Sequence, residues 1–286
     1  MKKAKAPEYI LTLACPDRRG IVSAISGLLA AHGCNILDSA QFTDTGSNTF
    51  FMRVHFADET GEGARLGEAL PAVVREFALD WKLHDAARKP RVLLMASKSG
   101  HCLNDLLFRY SSGLIHADVR AVISNHADFR ALTESHGIAF HHLPVDNATR
   151  PAQERALLDF IEAERIELVV LARYMQVLSP ELCRALRGRA INIHHSFLPS
   201  FKGAHPYAQA HARGVKLIGA TAHFITDDLD EGPIIEQDVS RVDHGQSVQE
   251  FTAIGRDVEC VVLARAVEWF VQHRILLNGD RTIVFR

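Results

Sequence analysis

Apolar positions change period twice along the chain. Tyr9 to Cys15 is a run rich in β-formers, and Pro16 to Gly20 reads as a turn. Ile21, Ile25, Leu28 and Leu29 then fall on one helical face through His32, and Gly33 supplies the residue that commonly ends a helix. Ile36–Thr43 and Asn48–Phe56 predict a hairpin around Asp44 to Ser47, followed by a helix over Gly63–Ala78 and a short strand at Asp80–Leu83. The order βαββαβ predicts a ferredoxin-like plait over residues 8–84. Residues 85–90 are polar, end in proline and predict a linker to a second domain over 91–286.

Beyond the linker, short apolar runs alternate with helical spacing. Arg91–Ala96, Asp118–Ser124, Ala139–Leu143, Glu167–Leu171 and Ala190–His194 are strand candidates, and Pro151–Arg165 is the plainest intervening helix. Such alternation predicts an α/β, Rossmann-like domain with a mainly parallel sheet, whose ligands bind beyond the carboxyl ends of the strands. Gly219–Ile225 and Pro233–Val242 read as further strands, Ser247–His273 as a long helix, and Thr282–Phe285 as a closing strand.

Composition narrows the class. A length of 286 residues suits two domains, and 47% hydrophobic with 23% charged residues is ordinary for globular proteins. A net charge of -2 gives no reason to expect nucleic acid or an anionic membrane as partner. Five cysteines without a CxxC pair fit reduced thiols in a cytoplasmic protein. The start is positively charged but lacks the apolar core of a signal peptide, and no apolar stretch is long enough to span a bilayer.

The chemistry concentrates after the fifth strand of this second series. Asn192 and His194 alternate onto one face at its carboxyl end, where buried polar groups are costly unless paired or used. Farther on, Thr226, Asp227, Asp228 and Asp230 crowd an acidic loop before Gly232 and Pro233. An amide, an imidazole and a carboxylate suit acyl chemistry without a covalent nucleophile. Asn192 can donate to a developing oxyanion, His194 can donate there or move a proton, and Asp230 can hold the imidazole or position the attacking group. Plainer readings stay open: Asn192 and His194 as caps of backbone groups, and the acidic loop as a solvated turn. Sixteen histidines invite a metal, but no compact zinc spacing occurs, and no GxSxG elbow marks a nucleophilic serine.

Asn192-Ile193-His194 with Leu198-Pro199, followed by Thr226 to Gly232, resembles the folate-dependent formyltransferase family, which includes glycinamide ribonucleotide and methionyl-tRNA formyltransferases. The resemblance implies Asn192, His194 and Asp230 as the catalytic set. It also implies a folate cleft walled by Tyr174, Met175, Gln176, Val177 and Leu178 on one side and by Thr226, Asp227 and Asp228 on the other. Likeness to a hydrolytic branch of the family is closer, through His194 to Pro199, Gly219 to His223, Asp228 to Val239 and Asp280 to Val284. The front segment, with Cys15 to Val22 and Gly33 to Ile36, resembles an ACT domain, a module that often binds amino acids and pairs with a second copy.

The loop after the first strand of the second domain carries one glycine in Ser97 to Asn104, a poor nest for a phosphate. Lys98 and His101 are expected to fill or screen that half of the cleft, leaving water as the acceptor. The function so implied is hydrolysis of 10-formyltetrahydrofolate to formate and tetrahydrofolate, supplying formate for purine synthesis and balancing the one-carbon pool. No cofactor or metal is expected, and the folate is the substrate. A formyltransferase to an amine and a non-catalytic amino-acid sensor are the alternatives. An amino-acid effector is expected near Asp17, Arg18, Gly20 and Asn35, in a homo-oligomer. Strand alternation sets His195 on the face opposite His194, behind the site. Whether His195, His205 and His223 belong to the site or only support it stays open.

Overall fold

The computed structural model describes residues 6–61, 66–198 and 206–286. The chain forms two compact units. The first contains β1 (Glu8–Pro16), α1 (Ile21–Ala31), β2 (Cys34–Asp44), β3 (Thr49–Asp58), α2 (Leu66–Phe77) and β4 (Asp80–Asp85). Its sheet is antiparallel throughout, in the order β2-β3-β1-β4, which makes it a ferredoxin-like plait. Leu11, Leu13, Met52, Val54 and Phe56 alternate onto the helix-covered face and meet Ile21, Ile25 and Leu29 of α1 with Leu66 and Leu70 of α2. The left-handed Gly33 (φ 65°) turns the chain out of α1.

The second unit begins at Pro90. It contains β5 (Arg91–Ala96), α3 (His101–Ser111), β6 (Asp118–Ser124), α4 (Arg130–Ser135), β7 (Ala139–His142), α5 (Arg150–Ala163), β8 (Leu168–Leu171), α6 (Pro180–Ala185), β9 (Ala190–His194), α7 (Pro206–Ala212), β10 (Leu217–Phe224), β11 (Ile234–Arg241) and α8 (Val248–Val271). The sheet order is β11-β10-β9-β8-β5-β6-β7. Strands β9 to β7 in that order are parallel, and β10 and β11 extend the sheet antiparallel. Strands β5 and β8 are apolar runs buried along nearly their whole length, as central parallel strands require. Strand order reverses between β5 and β8, so the crevice beyond their carboxyl ends is the expected ligand position.

Helix α8 starts one residue later than the spacing predicts because Ser247 is its cap. The Ser247 amide donates to Glu250 Oε2 at 2.6 Å and the Glu250 amide to Ser247 Oγ at 3.3 Å, a reciprocal capping box. The chain's end also differs from one closing strand in an uninterrupted domain over 91–286. After α8 come β12 (Ile275–Asn278) and β13 (Arg281–Val284), paired as a ribbon, and Gln272–Asn278 and Ile283–Arg286 belong to the first unit. Polar contacts within that unit explain the return. Arg53 Nε and Nη2 donate to the Gln272 carbonyl at 3.3 and 3.1 Å, and Asn278 Nδ2 donates to Asp44 Oδ2 at 2.7 Å.

Candidate active site

Asn192 and His194 occupy the last turn of side chains on β9. The antiparallel pairing of β9 with β10 sets His223 opposite Asn192 and Thr221 opposite His194. Opposed residues share a sheet face, so His223 joins the pair. Its Nδ1 lies 2.9 Å from the Phe224 carbonyl, which can only accept, so Nδ1 carries a hydrogen. The neutral ring then receives the Asn192 amide at Nε2, 3.3 Å away, and one amide N–H of Asn192 remains for the cleft. His223, left open by the sequence, is thus a buried support that orients the amide.

Asp230 approaches from the turn after β10. Its backbone is left-handed (φ 58°), a conformation aspartate tolerates better than most residues. Gly232 lets this turn fold back onto the strand: a Cβ there would stand 1.7 Å from the Phe224 carbonyl oxygen. Asp230 Oδ2 lies 3.1 Å from His194 Nδ1, and Oδ1 lies 3.6 Å from His223 Nε2. Burial alone would raise the Asp230 carboxyl, but the His194 bond and the two neighbouring imidazoles outweigh it, so the group stays below the usual carboxylate range. Because the carboxylate takes the hydrogen on His194 Nδ1, Nε2 becomes the working nitrogen. That Nε2 is buried without a partner among the described residues, an arrangement that costs free energy unless a ligand completes it.

Asn192, His194 and Asp230 line a cleft of about 270 Å³ together with Tyr174 to Leu178 and Thr226 to Leu229. Met175, Val177 and Leu229 are 57, 61 and 65% exposed, so apolar surface faces the opening from both walls. The wall from Arg173 to Leu178 is tied down by its backbone: Ser97 Oγ receives the Met175 amide at 2.9 Å and donates to Asn125 Oδ1 at 2.7 Å. Tyr174 is a partial exception among the expected folate residues. It is only 6% exposed, packs into the core and turns its hydroxyl to Gln153. On the facing wall the Thr226 hydroxyl donates to the Asp228 carbonyl, and Arg184 holds Asp227 at 3.1 Å.

Sequence reasoning placed His195 behind the site, yet its side chain lines the cleft. Strand β9 ends at His194, so alternation no longer governs the next residue. Arg173 Nη1 donates to His195 Nδ1, which places the ring's hydrogen on Nε2. Burial, the Arg173 charge and His194 lower the His195 pKa to about 4. Arg173 Nε sits 3.4 Å from Glu259 Oε2, close enough for an ion pair but off line for a hydrogen bond. Glu259 also accepts from His101 Nε2 at 2.8 Å and from the Tyr207 hydroxyl at 2.5 Å. Burial pushes its carboxyl up, but the His101 bond, the Arg173 charge and the Tyr207 bond together hold it below the usual range. His101 therefore turns to Glu259, while Lys98 is exposed. His101, Cys102 and Glu259 bring donor atoms within 4.8 Å of one another, but the Glu259 oxygens are already engaged. His205 lies outside the described residues.

In the first unit, Asp17, Arg18 and Gly20 form the turn into α1, where Gly20 (φ 99°) stands at a helix start with no side-chain cap. Arg18 donates to the Glu76 carbonyl and covers the Phe77 ring at 4.3 Å, so its charge serves the end of α2. Asn35 lies on β2, in register with Ala57.

An amide, a carboxylate-held imidazole and an apolar cleft at the switch point of an α/β sheet define a formyl-transfer site joined to a plait. The family described as formyl transferase matches residues 90–267, and the ACT domain matches 9–69. A formyltetrahydrofolate deformylase of Corynebacterium sp. (strain P-1) is 49% identical over 97% of this chain and 98% of its own length. One from Bacillus subtilis (strain 168) is 45% identical over 96% and 93%. The crystal structure of the Burkholderia mallei formyltetrahydrofolate deformylase is 52% identical, covers 98% of this chain and 100% of its own, and superposes with a TM-score of 0.94. The chain belongs to the formyltetrahydrofolate deformylase family. Among the described residues no helix is long and apolar enough to cross a membrane.

Proposed function

We propose that the second unit hydrolyses 10-formyltetrahydrofolate to formate and tetrahydrofolate, with Asn192, His194 and Asp230 as the catalytic residues. The observation that carries the assignment of roles is the buried, unpartnered Nε2 of His194 beside an Asp230-bound Nδ1. His194 Nε2 takes a proton from water as the water oxygen bonds to the formyl carbon. The formyl oxygen becomes an oxyanion, to which Asn192 Nδ2 and the newly protonated His194 Nε2 donate. Collapse breaks the bond from carbon to N10, N10 takes the proton from His194, and formic acid leaves and ionises. Asp230 remains a carboxylate throughout, fixing the ring and balancing its transient charge.

The aromatic part of the folate lies between Met175 to Leu178 and Thr226 to Asp228, covering the exposed apolar side chains of both walls. No cofactor or metal enters these steps. The plait binds a small amino acid at the turn from Asp17 to Gly20 and assembles copies of the chain into a homo-oligomer in the cytoplasm. The formate released feeds purine synthesis and balances the one-carbon pool. The test is formate release from 10-formyltetrahydrofolate by the purified protein, with chelator present and no acceptor. Stoichiometric formate and tetrahydrofolate are the expected result. Release only after adding an amine would overturn the hydrolytic reading.

A further inference from the structure

The buried group behind the cleft has no part in the steps above, yet it is built at some cost. Glu259 is 1% exposed in the middle of α8, and a carboxylate there is unfavourable unless its partners are well placed. His101 from α3, Tyr207 from α7 and Arg173 from the cleft wall converge on it. The packing makes room for this: a Cβ on Gly255, one turn before Glu259, would stand 2.2 Å from the Tyr207 ring. The chain of contacts leads back to the cleft through Arg173, which donates to His195 Nδ1.

The consequence is a matched pair of imidazoles. His194 carries its hydrogen on Nδ1 and offers the Nε2 lone pair, whereas His195 accepts at Nδ1 and offers an Nε2 hydrogen. Their rings lie 5.1 Å apart at the centroids, tilted by 31°. One acceptor and one donor are the two polarities needed to orient a water whose proton is to leave. We propose that Glu259 is a positioning residue that, through Arg173, fixes His195 as a neutral Nε2–H donor holding the attacking water against His194. This inference rests on the hydrolytic reading.

The charged and titratable groups facing His195 are Arg173, His194, Glu259 and Asp230, with the Tyr207 ring 6.2 Å away. Burial, the Arg173 charge and the neighbouring His194 keep His195 neutral to about pH 4. Without Arg173 the tautomer is no longer fixed, and the His195 pKa rises from about 4 toward its ordinary value while burial still holds it down.

The experiment measures formate release from pH 5 to 9 for the parental chain and for His195→Ala, His195→Gln, Arg173→Ala and the double variant Arg173→Ala/His195→Gln. His195→Ala should lower kcat by ~10²-fold, the scale of a mispositioned reactant, with KM nearly unchanged. His195→Gln, which restores a neutral donor, should recover much of that loss. Arg173→Ala should move the acid limb that His195 contributes to the kcat profile upward from about 4, and the double variant should lose that contribution again. An unchanged profile in Arg173→Ala, or a loss in His195→Ala confined to KM, would overturn the proposal. Should Arg173→Ala fail to fold, a histidine 1H–15N spectrum of the parental chain decides. A proton on His195 Nε2 is required, and one on Nδ1 refutes the clamp. Absence of formate release from the parental chain would instead bring down the hydrolytic reading, and the assigned role with it.

Discussion

Two pairs of histidines sit in opposite electrostatic surroundings. In the second unit, His194 and His223 share the Asp230 carboxylate at 3.1 and 3.6 Å. In the first, His84 and His273 stack ring on ring, 3.6 Å apart and within 10° of parallel. Burial, followed by the neighbouring His84 and the charges of Arg53, Arg88 and Lys82, drives the His273 pKa down to about 3. Beside the carboxylate, the His194 hydrogen is held on Nδ1 and Nε2 is left for a ligand. His273, set among cations, stays neutral and serves as a flat, packable ring. Residue type alone does not separate these roles; the neighbours do.

The sharpest way to break the comparison is to remove the carboxylate. In Asp230→Asn the amide can donate toward His194 Nδ1 and drive the hydrogen to Nε2, closing the lone pair that receives the water's proton. The expected loss in kcat is ~10³- to 10⁴-fold, the scale seen when a triad histidine is left in the wrong tautomer. His194→Ala should cost ~10³-fold through the lost oxyanion donor and proton carrier. Single-turnover formate release measures both, and near-parental rates would remove these residues from the mechanism. Gly232→Ala tests the turn that delivers Asp230. A methyl group aimed at the Phe224 carbonyl must displace the strand or the turn, so about 1–3 kcal/mol of stability should go, together with most of the activity. A variant with parental Tm and rate would show that the turn adapts freely.

His273→Phe probes the other pair. A histidine whose folded pKa is depressed contributes stability that is complete above its unfolded value of ~6.5 and is lost as pH falls toward the folded value. The first unit should therefore weaken between ~6.5 and about 3, and His273→Phe, which keeps an aromatic ring but cannot titrate, should flatten that decline. Hydrogen exchange of the β1 and β4 amides at pH 7 and pH 5 reads the difference. Formate release at pH 7 should stay at the parental level, since this residue belongs to the plait.

Much of this arrangement can be read from local pattern. Period-two and period-3.6 apolar spacing marks β1, α1, β5 and β9 because each buries a face or a whole strand. Asn192, His194 and Asp230 stand in short motifs next to a strand end and a Gly-Pro turn. Glu259 and His101 are invisible to such reading. They meet across 158 positions, and Glu259 looks like any polar residue in a long helix until α3 packs on α8. His195 was misplaced because alternation was carried one residue past the end of β9. The ribbon of β12 and β13 was half missed for a related reason, since short half-buried strands carry little period.

The smallest expected effect lies on the cleft's apolar rim and separates binding from chemistry within the catalytic unit. Leu229 belongs to the acidic loop and is 65% exposed, so it contributes little to the folded chain on its own. Covered by a folate, it would lose apolar surface to water, and a buried leucine side chain is worth about 1.5–3 kcal/mol at most. Partial coverage should give less, so Leu229→Ser should raise KM by ~3- to 10-fold. With kcat unchanged, that pattern marks binding made equally in ground and transition states. Tm should hold or rise slightly, since an exposed apolar side chain is replaced by a polar one. A fall in kcat at constant KM would mean instead that Leu229 helps to set the position of Asp230, its neighbour in the loop, and that the acidic wall is part of the proton machinery rather than a lip for the substrate.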